Sequence, residues 1–248
     1  MSEGVTIRNL DKRYGGRRVF ENFSLAAAPG EFVALLGPSG AGKTTLLRCV
    51  ARLADPDGGE IVAAGHPMHL LRGRALREAR RDIGFVFQQF NLVRRRSAVG
   101  NVLAGRLGAA PLWRAVTGRY DADDRKAAHA ALDRVGLLRL AAQRADRLSG
   151  GEQQRVAIAR ALVQRSKILL ADEPVASLDP DSAVSVLSLL RDIVRERHLT
   201  VLCSLHQPPL AHRFADTVVL LDGPAHDGAD HTDLQLTTPP HRPHDPVP

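Results

Sequence analysis

Lysine is scarce in this chain. Of 34 cationic side chains only Lys12, Lys43, Lys126 and Lys167 are lysines, so the positive charge is almost entirely arginine. Cysteine is scarcer still: Cys49 and Cys203 lie far apart in apolar stretches. That excludes a disulfide framework and reads as two buried, reduced thiols. No apolar run approaches the roughly 18 residues of a membrane-spanning helix. Residues Met1–Leu10 lack the basic start and apolar run of a secretory leader. Any association with a membrane is therefore expected to come through a partner. No internal repeat is visible.

What is present is a chain of 248 residues, 44% hydrophobic and 25% charged, enough to bury a core as one large domain or a domain with a subdomain. The net charge is +7. A basic balance suits nucleic acid, anionic lipid or an acidic partner. The arginines are scattered, however, which reads as composition rather than as a binding footprint.

Short apolar runs at 32–36, 83–87, 168–171, 200–205 and 217–221 read as strands. Helical spacing is seen at 43–53, 150–163, 182–197 and about 209–214. Asp55-Pro56-Asp57-Gly58-Gly59 is a turn. This alternation predicts an α/β fold with a mainly parallel sheet covered on both faces. The Ala-, Leu- and Arg-rich stretch from about 92 to 148 predicts an inserted helical subdomain. From Gly223 the chain holds six prolines and four histidines (His226, His231, His241, His244), whose spacing matches no metal site. The expected organisation is one domain over 4–222, its helical subdomain at about 90–150, and a disordered tail over 223–248.

Three stretches carry chemistry. Gly37-Pro38-Ser39-Gly40-Ala41-Gly42-Lys43-Thr44, between a strand and a helix, is a phosphate-binding P-loop. Its glycines turn backbone N–H groups toward phosphate, and the helix start adds its positive dipole end. Lys43 is expected on the β- and γ-phosphates and the Thr44 hydroxyl on Mg²⁺, with Thr45 completing the nucleotide-binding run. The strand Ile168–Ala171 ends in Asp172 and Glu173. Asp172 is placed to hold Mg²⁺, through water, and Glu173 to polarise the water that attacks the γ-phosphate. Finally, Ser149-Gly150-Gly151 opens a second helix start suited to an anion. One ATP does not need two such sites from one chain.

Leu148-Ser149-Gly150-Gly151-Glu152-Gln153-Gln154 resembles the signature motif of ABC ATPases, and the likeness extends over about residues 4–222. It implies the ABC ATPase fold, with antiparallel β elements and an inserted helical subdomain. It also implies a head-to-tail homodimer in which Ser149 and Gly151 touch ATP bound by the partner's P-loop. By the same resemblance Tyr14 stacks on adenine, Gln88 is the glutamine that touches Mg²⁺ and links the site to the helical subdomain, and Ser177-Leu178-Asp179 crosses the dimer interface. His206 is the switch histidine at the γ-phosphate.

Phe87-Gln88-Gln89-Phe90-Asn91-Leu92, residues 101–108 and 171–180, and Ser204-Leu205-His206-Gln207 look closest to the ATPases of phosphonate importers. The expected role is ATP hydrolysis driving uptake of a small oxyanion. The expected partners are integral membrane permease subunits and, indirectly, a periplasmic or lipid-anchored binding protein. Its expected place is the cytoplasmic face of the inner (plasma) membrane. Arg94-Arg95-Arg96 falls where such proteins meet the permease; pairing with acidic groups there, contact with lipid headgroups and a solvated loop all suit it.

Two other classes compete. A nucleic-acid-associated ABC ATPase would account for the basic charge, but such proteins carry coiled-coil insertions, zinc modules or paired cassettes, none visible here. A non-hydrolysing adaptor would not need Glu173 and His206. Nucleic acid is not an expected partner. Departures from the family pattern are Glu152, where close relatives often have Gln and little consequence is expected, Pro208-Pro209, and the His/Pro tail in place of a further strand and helix.

Overall fold

The computed structural model describes residues 4–108 and 120–222, together with the backbone of 236–237. Its central sheet contains β3 (Phe32–Leu36), β6 (Ile83–Val86), β7 (Ile168–Ala171), β8 (Thr200–Ser204), β9 (Thr217–Leu220) and β10 (Leu236–Thr237). The order is β10-β9-β3-β8-β7-β6, parallel except for β10. Every residue of β3, β7 and β8 is buried, as a sheet covered on both faces requires.

Alternation along β3 sorts the core into two halves. Phe32, Ala34 and Leu36 face one cluster, with Val186 and Leu187 of α6 (Pro180–Arg197) and Val156 and Ile158 of α5 (Gly150–Val163). Val33 and Leu35 face the other, with Leu46, Leu47 and Val50 of α1 (Lys43–Val50). That second cluster also takes the inner side of an antiparallel sheet, β2-β1-β4-β5, made of β1 (Val5–Tyr14), β2 (Arg17–Ala27), β4 (Gly58–Ala63) and β5 (His66–Pro67).

The predicted strands and helices fall within a few residues of the observed ones. α1 is shorter than its periodicity suggests, ending at Val50, because Ala51 caps it and Arg52 turns to φ 55°. A further helix, α2 (Gly73–Ala79), lies in a stretch without a clear apolar period. In the helical stretch lie α3 (Ala98–Leu103), α4 (Ala122–Arg134) and short 3₁₀ turns; the rest of that prediction, 109–119, lies outside the described residues. Buried Asn101 ties the loop ahead of α3: its amide nitrogen donates to the carbonyls of Val93, Arg96 and Ser97, and its oxygen accepts the Val93 N–H at 2.7 Å. α7 (Pro208–Phe214) begins on the two prolines, which suit a helix start.

The tail departs from the disorder expected of it at two residues. Leu236 and Thr237 pair antiparallel with Val219 and Val218, covering peptide groups that β9 otherwise exposes at the sheet edge. The rest of the tail lies outside the described residues. Cys49 and Cys203 are free and buried, and burial pushes the Cys49 thiol up to about 11. Among the described residues no helix is long and apolar enough to cross a membrane.

α6 is clasped to the sheet by Asp216, which accepts from both arms of Arg191 at 2.5 and 2.6 Å and from the Phe32 N–H at 2.9 Å. Burial works against its charge, but the Arg191 and Phe32 bonds outweigh it and hold the carboxyl below its usual range. A depressed folded value means the clasp stabilises above the unfolded pKa and is lost as pH falls through the folded one. Asp216→Asn should therefore cost about 1–2 kcal/mol at neutral pH, allowing for its partial exposure. In urea unfolding series the deficit should shrink below about pH 4; a pH-independent deficit would show that the clasp is not ionic.

Candidate active site

Four parallel strands, β3, β6, β7 and β8, deliver their C-terminal ends to one edge of the sheet, where α/β proteins bind ligands. The loop after β3 is the glycine-rich run. Gly37, Gly40 and Gly42 hold φ values of 152°, 82° and 95°, which favour glycine. Two of them are also crowded: a Cβ on Gly37 would lie 2.3 Å from the Leu221 carbonyl oxygen, and one on Gly42 would lie 2.8 Å from Phe20 and Val19 of β2. Gly42 caps α1 without a side-chain hydrogen bond, so the first-turn N–H groups face a space that suits an anion.

Lys43 is 4% exposed. Its ammonium donates to the carbonyls of Gly37 at 2.6 Å and Pro38 at 3.0 Å, bridging the start of the loop to its end. Burial lowers its pKa, against the opposing pull of Glu173 and Asp172. Ala41 is buried and its N–H closes a turn on the Pro38 carbonyl at 3.2 Å, while Pro38, Ser39 and Gly40 are exposed and Thr45 is half-buried.

Asp172, at the end of β7, is 5% exposed. Its Oδ1 accepts from the Thr44 hydroxyl at 2.9 Å and the Ser204 hydroxyl at 3.0 Å. The same Ser204 oxygen accepts the Glu173 N–H at 2.8 Å. Glu173 sits at φ 47°, a left-handed backbone that costs energy and gathers at functional sites. Its carboxylate is held from two sides: Gln88, past the end of β6, donates to Oε2 at 2.8 Å, and His206, past β8, bonds Oε1 at 2.5 Å. The structure thus brings the candidate residues Lys43, Thr44, Gln88, Asp172, Glu173 and His206 together at one sheet edge, and adds Ser204. Nothing in an apolar strand announces that a serine hydroxyl will bind two acidic neighbours.

The other predicted residues bond elsewhere. Ser149 caps α5 and its Oγ accepts the Glu152 N–H, while Glu152 accepts the Ser149 N–H at 2.8 Å. Glu152, which stands where close relatives often have Gln, closes a capping box that fixes the signature turn, a place that Glu and Gln fill alike. Beside it, a Cβ on Gly151 would lie 3.6 Å from the Ser182 hydroxyl, and one on Gly150 4.0 Å from Leu178. Asp179 caps α6 on the Ser182 N–H at 3.0 Å, and the Ser182 side chain together with that N–H holds its carboxyl low. Tyr14, often a core residue type, is 51% exposed at the end of β1.

The donor set fits a small hard cation bound together with a polyphosphate. Thr44 and Asp172 offer adjacent oxygens and Gln88 an amide nearby, while no group of three or more His, Cys, Asp or Glu forms a self-sufficient metal cage among the described residues. Mg²⁺ characteristically takes one or two protein oxygens and fills its shell with phosphate and water.

A P-loop facing an acidic strand end and a clamped glutamate defines a P-loop nucleotide-binding protein. Within that class, the chain belongs to the ABC transporter family, whose sequence profile matches residues 20–176. It is 52% identical over 217 residues to the phosphonates import ATP-binding protein PhnC of Frankia casuarinae, covering 88% of this chain and 84% of that protein. It is 49% identical over 215 residues to the hypophosphite import ATP-binding protein HtxD of Stutzerimonas stutzeri, covering 87% of this chain and 63% of that one. Among solved structures, it is similar to the dimeric post-hydrolysis state of the ATP-binding cassette MJ0796 bound to ADP and Pi, with a TM-score of 0.75, 36% identity, and coverage of 88% and 94%.

Ser204→Ala removes both hydroxyl bonds and leaves the fold's apolar contacts in place. It should lower ATP turnover roughly 10-fold or more at limiting Mg²⁺, as loss of a ligand's supporting partner does. A Mg²⁺ titration of turnover matching the native one would take Ser204 out of the site.

Proposed function

We propose that this chain hydrolyses ATP as the motor subunit of an ABC importer for a small phosphorus oxyanion, phosphonate being the substrate the relatives favour. The observation that carries it is the Glu173 carboxylate, held between Gln88 and His206 beside an aspartate that ties the P-loop to the sheet. Two of its relatives are named as ATP-binding proteins of phosphonates import and of hypophosphite import. Cargo choice would rest with the permease and its binding protein, at the cytoplasmic face of the membrane.

In this reading Lys43 and the first-turn N–H groups of α1 take the β- and γ-phosphates, with Thr45 beside them. Thr44, Asp172 and Gln88 hold Mg²⁺, which when bound neutralises charge on the phosphate oxygens. Glu173 orients the attacking water and accepts its proton as the oxygen attacks the γ-phosphate. Gln88 and His206 fix the rotamer of Glu173, and His206 also meets the γ-phosphate. Tyr14 stacks on adenine. Ser149, Gly150 and Gly151 reach the nucleotide of a partner copy across an interface that includes Asp179, so two chains complete two sites. Dimer closure would pull the helical segments together and drive the permease.

Glu173→Gln keeps the hydrogen-bonding shape and removes the negative charge. Turnover should fall by two or more orders of magnitude, while ATP shifts the variant to a dimer in size-exclusion light scattering; native turnover would remove Glu173 from its role. For the native chain, activity per molecule should rise steeply with protein concentration. A confirmed monomer whose specific activity is constant would break the shared-site scheme. In cells lacking the gene, the native chain but not Glu173→Gln should restore growth on a phosphonate as the phosphorus source; growth restored only on hypophosphite or phosphite would move the cargo assignment to that anion.

A further inference from the structure

Side chains two apart on a strand share a face, and on β1 this places Lys12 next to Tyr14. The Lys12 ammonium lies over the Tyr14 ring, 4.9 Å from its centroid. Lys12 is only 7% exposed, and a buried ammonium needs a carboxylate to balance it. Asp57 supplies one, with its two oxygens 3.2 and 3.3 Å from the ammonium. The same carboxylate accepts the Arg13 N–H at 2.6 Å, and the Asp57 N–H donates to the Asp11 carbonyl at 2.9 Å. Asp57 therefore holds both the cation under the ring and the backbone immediately before it.

We propose that Asp57 and Lys12 are positioning residues for base recognition: the ammonium occupies one face of the Tyr14 ring and leaves the other as the platform for adenine. This rests on the reading of Tyr14 as the adenine-stacking residue. A cation against one face fixes the ring's tilt and draws its π density toward that side. The open face then repels the π cloud of a stacked base less. The pair acts on the base and not on the phosphates, so its removal separates the two halves of nucleotide affinity.

The test compares affinities for MgATP and for Mg-tripolyphosphate, which has no base, by calorimetry on the full chain. Lys12→Met and Asp57→Asn should each weaken ATP about 3- to 10-fold and leave tripolyphosphate unchanged. Lys12→Arg, which keeps a cation for both ring and carboxylate, should stay near native. ATP affinity unchanged in both weakened variants, or ATP and tripolyphosphate weakened by one common factor, would overturn the proposal, the second outcome marking a purely structural pair. Should Lys12→Met not fold, Asp57→Asn gives the same reading, because it retains an acceptor for the Arg13 N–H. Tyr14→Ala separates the two levels. If it leaves ATP affinity unchanged, the adenine reading falls and the proposal with it. If it weakens ATP while the Lys12 and Asp57 variants do not, only the role of the pair falls.

Discussion

A single carboxylate oxygen, Oδ1 of Asp172, is the point on which the site is hung. It receives hydroxyls from Thr44 on α1 and Ser204 on β8 while its own backbone follows directly on β7. Three neighbouring segments of the sheet edge are thereby registered through one atom. The Ser204 oxygen passes the constraint on to the Glu173 N–H, and a backbone turn of φ 47° follows. Buried hydrogen bonds of this sort strengthen each other and are costly to leave half-made. The position of the glutamate is a consequence of strand pairing, not of a flexible loop.

The antiparallel sheet does two jobs for the same edge. Val19 and Phe20 of β2 press on Gly42, which leaves no room for a side chain there. The end of β1 presents Tyr14 beside the buried Lys12. One small sheet thus packs the glycine-rich loop from behind and carries the exposed ring proposed as the platform for the base. The distance between those two features is set by a β1–β2 pairing rather than by the glycine-rich loop itself.

Much of this was legible in the residues because phosphate chemistry is written locally. Eight consecutive positions hold the P-loop, and two hold the acidic strand end. The parallel strands were legible too, being short apolar runs buried on both faces. β1 and β2 were not, since register shifts at Leu10, Lys12 and Arg13 break their alternation. Contacts across long separations were also silent: Gln88 and Glu173 are 85 residues apart, and Lys12 and Asp57 are 45. The roles expected of Gln88 and His206 came from family resemblance; their grip on one carboxylate came only from the sheet order that brings β6, β7 and β8 side by side. The capping box of Ser149 and Glu152 accepts Glu or Gln at its third position, so the exchange of one for the other at 152 leaves that helix start intact.

Lys43 braces the loop that leads to it, its ammonium gripping the carbonyls of Gly37 and Pro38. The loop's conformational entropy is therefore surrendered when the chain folds rather than when the ligand binds, which is how preorganisation raises affinity. In the proposed function the lysine is a template for the loop's shape as well as a counter-charge for the ligand. A variant that loses this side chain loses both at once, so the affinity it forfeits is larger than the worth of one lysine–phosphate contact and cannot be read as a measure of it.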